Sequence, residues 1–256
     1  MKPEIFYPGN LMVPQILAET PDFLLVYKPP KMHSAPGKGE SLAEWCAEKF
    51  PEIRDVREGE CGLLFRLDYE THGLMLFARN RDSFNILFEE QARGGIIKEY
   101  GALVSRNPAG IAGFPRYNGV FILNEKINSS VIKKSFVIES HFRPYGPGSR
   151  EVRPLPVIDD PGNKPKKKYQ TEILKNEFYE SEKFGYVNAK ITKGFRHQIR
   201  CHLAWAGCPV VNDPIYGGLQ TGKGILGLRA GAVMFSNPCN GEKVYFSLPD
   251  LKIDDI

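Results

Sequence analysis

The chain has no Cys-x-x-Cys pair, no long apolar run and no internal repeat. Its five cysteines, Cys46, Cys61, Cys201, Cys208 and Cys239, are odd in number and scattered. That excludes a disulfide framework and the usual zinc-ligand spacings. Cys201, His202 and Cys208 lie close together, but not at the spacing of a ligand set, so no metal is expected. No apolar stretch is long enough to span a bilayer, and the first residues lack the charged-then-apolar pattern of a signal peptide. The expectation is a cytoplasmic protein with reduced thiols and no membrane partner. Excess charge of one sign is scarce too: 34 Lys and Arg against 30 Asp and Glu leave +4. Such a balance permits a polyanionic partner without demanding one.

What is present is ordinary for a globular chain, with 256 residues, 42% hydrophobic and 25% charged. This length buries a substantial core, and the absence of any long linker predicts a single domain over residues 1–256. Residues 1–19, broken by Pro3, Pro8 and Pro14, read as an irregular lead-in. Phe23 to Tyr27 reads as a buried strand stopped by Lys28-Pro29-Pro30, and Lys31 to Gly39 as a loop. Ser41 with Glu44 forms a capping box ahead of a helix that Pro51 ends. A second helix runs from Arg81 to Arg93, with Phe84, Leu87, Phe88 and Ala92 as its apolar stripe and Gly94-Gly95 as its stop.

Lys98 to Val104 alternates as a strand. Patterning weakens between 105 and 168, where Gly119–Leu123 and Phe136–Ile138 are short strand-like runs. Asn163 to Lys168 is a basic run that reads first as a solvated loop, a reading compatible with phosphate contact. Tyr169 to Leu174 and Phe184 to Ile191 read as a strand pair. A helix over about 196–206 follows, with Ile199, Leu203 and Ala206 inward, and then strand candidates at 226–228 and 244–246. Strands outnumber helices and do not alternate with them. The fold class is therefore α+β, with a mixed, mainly antiparallel central sheet and flanking helices.

The stretch Leu63 to Ala78 organises the rest. Asp68 sits between two apolar runs of strand length, with Thr71 and Gly73 supplying the turn. Arg66 and Asp68, two apart, point to the same side of an extended backbone. A polar pair between buried strands needs a hydrogen-bonding or cationic partner. Asp68 is either a structural carboxylate at a turn or a functional one.

Two stretches together resemble the RluA-type pseudouridine synthases. Arg66-Leu67-Asp68-Tyr69-Glu70-Thr71-His72-Gly73-Leu74 is similar to the family's His-Arg-Leu-Asp…Thr-Ser-Gly-Leu motif. Gly194-Phe195-Arg196-His197-Gln198-Ile199-Arg200-Cys201-His202-Leu203, with Asp213-Pro214-Ile215-Tyr216-Gly217 after it, is similar to its Gly-Arg-Thr-His-Gln-Ile-Arg-Val-His-Leu block and sequel. Lys28-Pro29 and Lys98-Glu99-Tyr100 match shorter family elements, in the same order. Departures are Phe65 for His, His72 for Ser, Phe195-Arg196 for Arg-Thr and Asn212 for Gly. The 105–168 segment has no counterpart.

The resemblance implies the pseudouridine synthase catalytic fold and conversion of uridine in tRNA or rRNA to pseudouridine without cofactor or metal. It assigns Asp68 to the ribose–uracil junction, as nucleophile or as base. It assigns Arg200 to an ion pair with that carboxylate and Tyr100 to stacking on the uracil or to proton transfer. Arg66 matches the arginine that replaces the flipped-out nucleotide, since a stacked base is out of reach of such chemistry. Equally, Arg66 reads as a local salt bridge. Lys166, Lys167, Lys168, Lys193 and Arg196 are the candidate phosphate contacts. The family's small N-terminal RNA-binding domain is expected to be absent, and the protein to be a monomer. Two other classes compete: a non-catalytic RNA-binding relative, and a carboxylate-dependent hydrolase with Glu70 as second carboxylate.

Overall fold

A computed structural model describes residues 1–37, 39–107, 109–119, 135–157, 167–178 and 184–256. Lys166 and the strand-like residues 120–123 lie outside the described residues. The chain forms two compact units. One holds Met1–Tyr100 with Arg229–Leu251 and Asp255; the other holds Gly101–Leu228 with 252–254 and Ile256.

In the first unit β2 (Gln15–Glu19), β3 (Phe23–Lys28) and β4 (His72–Ala78) are antiparallel neighbours. β4 then pairs in parallel with β10 (Leu228–Ser236), through Arg229 against His72 and Ala230 against Gly73. β11 (Lys243–Ser247) runs antiparallel to β10, and β1 (Glu4–Ile5) adds in parallel to β11. β3 and β4 are buried along their whole length, as continuous apolar strands packed on both faces must be. Residues 1–19 are thus less irregular than their prolines suggest. Pro3 and Pro14 immediately precede the paired residues, the strand-start position that tolerates a missing N–H.

The capping box holds: the Glu44 amide donates to Ser41 Oγ at 3.2 Å ahead of α1 (Leu42–Lys49). α2 (Arg81–Arg93) has the expected bounds, capped by Asn80 and stopped by Gly94 in the left-handed conformation. Its buried face is different from the expected stripe. Ser83, Leu87 and Glu90 are buried, whereas Phe88 and Ala92 are exposed. Glu90 accepts from Ser236 N and Oγ and from Lys243 Nζ at 2.6 Å, which satisfies a carboxylate the apolar pattern cannot foresee.

β5 (Ile97–Ser105) begins in the first unit and enters the second at Gly101. The second unit then orders β9 (Phe184–Ile191), β8 (Tyr169–Phe178), β6 (Phe136–Tyr145) and β7 (Glu151–Leu155); the pairs β9–β8, β8–β6 and β6–β7 are antiparallel. α3 (Gln198–Trp205) is buried at all eight positions. Its start is delayed from the expected 196 because His197 takes φ 57°. Phe142, Phe195, Tyr216, Val152, Cys201 and Ala204 pack together between this helix and the β6–β7 hairpin. The fold is α+β and mostly antiparallel.

Candidate active site

The first apolar run of the organising stretch does not become a strand. Only Leu63 makes an isolated bridge, to Phe77; residues 64–68 carry no regular structure, although the Leu64 amide still donates to the Leu76 carbonyl of β4 at 3.1 Å. The Thr71 amide donates to the Asp68 carbonyl at 3.1 Å, closing a turn with Tyr69 and Glu70 at its corner. Leu67 is buried while Arg66 is exposed and Asp68 half-buried, as their two-residue spacing requires.

Three groups fix this segment from behind. Ser34 Oγ donates to the Leu67 carbonyl at 2.8 Å and accepts from the Leu67 amide at 2.9 Å. His33 lies 4.7 Å from the Tyr69 ring, centroid to centroid. Lys28 is completely buried, and its ammonium donates to the carbonyls of Pro29 (3.0 Å), Met32 (2.7 Å) and Tyr69 (3.3 Å). Three acceptors match the three N–H donors of an ammonium. Burial lowers its pKa to about 7, opposed by the charges of Asp68 and Glu70.

Tyr100 is buried on β5, and its ionisation is pushed up by burial and then by the negative charge of Asp68. It is therefore a neutral phenol in the field of that carboxylate. Lys98 is buried two residues earlier, on the same side of the strand, with Nζ 5.0 Å from the centre of the Phe65 ring. Burial lowers its pKa to about 8. Lys28 and Lys98 were not singled out as site residues by sequence reasoning. The available signal was a lysine at the end of an apolar strand, for Lys28, or near the start of one, for Lys98, which is costly to bury unless a local partner exists.

Arg66 forms an ion pair with Glu60, which also holds Arg57 at 2.8 Å. In the second unit Arg200 is fully buried mid-helix, and Asp213 grips it at two points, Nε to Oδ2 at 2.7 Å and Nη2 to Oδ1 at 2.9 Å. Asp213 Oδ1 also accepts the amides of Ile215 and Tyr216. His202 is buried, with Nε2 2.9 Å from Ser140 Oγ and Nδ1 2.8 Å from Thr171 Oγ1. Arg196 donates to the carbonyls of Ser149 and, at 3.1 Å, Glu151. Lys168 pairs with Glu139 at 3.1 Å, and Lys167 sits 5.1 Å over the Tyr169 ring; Lys193 is exposed. Glu70 is half-buried in the same turn as Asp68.

Among the described residues no cluster of three or more His, Cys, Asp or Glu side chains is placed to hold a metal. No described helix is long and apolar enough to cross a membrane.

A sequence model of the RNA pseudouridylate synthase family matches residues 22–205. Ribosomal large subunit pseudouridine synthase D of Buchnera aphidicola is 26% identical over 220 residues, covering 84% of this chain and 58% of its own length. Ribosomal large subunit pseudouridine synthase C of Escherichia coli is 26% identical over 248 residues, covering 91% and 66%. The chain thus spans less than two thirds of these relatives. The structure of human RNA Pseudouridylate Synthase Domain Containing 1 superposes with a TM-score of 0.61 at 19% identity, over 96% of this chain and 86% of that one. Human RNA Pseudouridylate Synthase Domain Containing 4 gives 0.56 at 15% identity; both likenesses concern the fold. The family match over residues 22–205, well over half of the chain, places this chain in the RNA pseudouridylate synthase family.

Proposed function

We propose that this protein isomerises uridine in RNA to pseudouridine, acting as a cytoplasmic monomer with Asp68 at the ribose–uracil junction. The carrying observation is the setting of Asp68, half-buried on a pinned turn with its charge felt by Tyr100 and Lys28. The reaction breaks the bond from ribose C1′ to uracil N1 and forms one from C1′ to C5. C5 gives up its proton and N1 gains one, so nothing is consumed. A carboxylate held in a low-dielectric site serves such a junction better than a solvated one, because its interaction with a developing sugar cation is less screened. Tyr100, kept neutral, fits stacking and hydrogen-bond donation rather than action as a phenolate. Arg66 would exchange Glu60 for the space left by the flipped nucleotide. An exposed ion pair is worth at most about 1 kcal/mol, so that exchange costs little.

Arg200 is assigned to the same chemistry by the family motif. Lys193, Arg196 and Lys166–Lys168 are assigned to phosphate contact. The relatives named for the ribosomal large subunit favour rRNA as the first substrate to try, with tRNA second. The test is pseudouridine formation in unmodified large-subunit rRNA and tRNA transcripts, read by mass spectrometry after chemical tagging. Wild type should form product and Asp68→Asn should bind RNA while losing turnover by at least a thousandfold. Equal product from both would remove Asp68 from the chemistry. No product from either, with RNA still bound, would favour a non-catalytic RNA-binding protein.

A further inference from the structure

Beyond Ser140, β6 leaves β8 and, among the described residues, pairs only with β7, as a two-stranded ribbon over residues 141–155. Strand alternation gives the ribbon two different faces. Phe142, Val152 and Pro154 turn inward, Phe142 stacking on Phe195 with ring centres 5.0 Å apart and planes 7° from parallel, and Val152 fully buried beside Tyr216. The opposite face carries Arg143, Tyr145, Glu151 and Arg153. On it Arg143 and Arg153 are direct cross-strand partners, and like charges placed opposite each other destabilise a sheet. Both guanidinium groups approach the same half-exposed Tyr145 ring, Arg153 at 3.2 Å and Arg143 at 5.7 Å from its centre.

Glu151 compensates only part of this charge, at 3.1 Å from Arg153. Arg150, at the ribbon's tip, is exposed, and neither it nor Arg143 has a carboxylate partner among the described residues. Arg196 adds a further guanidinium at the base of the tip, held on the Ser149 and Glu151 carbonyls. A positive face that is unfavourable to itself, with an exposed ring at its centre, is suited to a polyanion whose bases can stack.

We propose that the outward face of the 141–155 ribbon binds the substrate RNA's sugar–phosphate backbone, away from the reacting uridine. Arg143 and Arg150 take phosphates and Tyr145, with Arg153 beneath it, takes an unstacked base. This rests on the RNA-modifying reading above and extends it to the segment that the family motifs leave unexplained.

The test uses the full-length protein and a fluorescein-labelled twenty-nucleotide oligo(A), which contains no uridine and therefore reports binding without reaction. Abolishing two phosphate contacts to single-stranded RNA lowers the log–log salt slope by about 1.4. Arg143→Gln/Arg150→Gln should show that change, and a roughly tenfold weaker affinity near 0.1 M salt. Tyr145→Ser should weaken binding with the salt slope unchanged. A charge-matched control, Lys2→Gln/Arg93→Gln, alters exposed cations of the first unit and should bind as wild type. Ribbon variants that match wild type in affinity and slope overturn the proposal, as does a control that falls equally, since the effect would then be net charge. In the tagging assay the ribbon variant should raise KM for rRNA and leave kcat within twofold. Product formation with an unchanged KM sinks the ribbon and leaves the enzyme standing. Weakened oligo(A) binding without any product in wild type sinks the enzyme and leaves the ribbon.

Discussion

Arg200 and Asp213 are joined by two parallel hydrogen bonds of 2.7 and 2.9 Å, and neither side chain has any exposed surface. Asp213 is the fixed end of the pair, because two backbone amides also hold its Oδ1. The guanidinium therefore keeps one orientation at the centre of a helix buried on every side. Breaking a buried ion pair by removing one of its partners costs about 3–5 kcal/mol. Asp213→Ala should lose stability on that scale in urea unfolding. Asp213→Asn, which retains an acceptor for the two amides, should lose less. A loss under about 1 kcal/mol for Asp213→Ala would mean that the pair does not hold Arg200 in place.

Gly73 has φ 122°, and a Cβ there would collide with the backbone of Ala230 on β10. This parallel contact joins β10 to β4 next to the Asp68 turn. A main-chain clash has no flexible side chain to absorb it, so β10 or the turn must move. Gly73→Ala should lose about 3 kcal/mol or more by thermal or urea unfolding, within the range for strained backbone together with overpacking. A variant as stable as wild type would show that the close approach of the two strands is not required.

These two residues show what could be read from the chain alone. Gly73 and Asp213 stood in recognisable motifs, but the motif does not say that Gly73 is demanded by a strand near the other end of the chain, or that Asp213 is the anchor of Arg200. The continuous apolar strand β3, the capping box at Ser41 and both bounds of α2 were legible because they depend on neighbours in sequence. The inward face of α2 was not. Glu90 is buried there by partners on β10 and β11, so Phe88 was left outside. The run from Leu63 makes one bridge to β4 and no ladder, which its apolar composition did not foretell. Lys28 is the most instructive miss. It read as a strand stop, while its three carbonyl acceptors come from the loop and turn folding over it.

Lys28 makes a pH prediction. Its folded pKa of about 7 lies below its ordinary value of 10.5. Between those values the unfolded chain binds a proton that the folded chain does not, so this group makes stability rise with pH. The contribution approaches about 1.4 kcal/mol per pH unit for one proton. Lys28→Met removes it. Plotted from pH 7 to 10, the stability difference of wild type minus variant should climb steadily. The slope from Lys98, whose pKa is about 8, is common to both proteins and cancels. Parallel curves would show that Lys28 stays charged throughout, held by its three carbonyls.

His72 makes the corresponding prediction in acid. Its Nδ1 is 2.8 Å from the Tyr27 hydroxyl, its Nε2 has no hydrogen-bond partner among the described residues, and the ring is buried. Burial, then the neighbouring charges of Arg229 and Lys28, lower its pKa to about 3 from 6.5. An imidazolium there would carry one N–H with nothing to receive it, beside two cations. As pH falls from 6.5 towards 3 the unfolded chain gains a proton that the folded chain refuses, and stability is lost. His202, buried between Ser140 and Thr171 with a pKa of about 3, acts in the same window and the same direction. His72→Ser should therefore remove one of the two protons that these histidines take up on unfolding near pH 5, not both. At pH 7.5 the variant should be weaker by about 1–2 kcal/mol, from the cavity and the missing hydrogen bond to Tyr27. That deficit should shrink as the solution is acidified. Urea unfolding at half-unit steps from pH 7.5 to 4.5 measures it. A deficit that stays constant over this range would mean that His72 titrates in the folded protein much as it does in the unfolded chain.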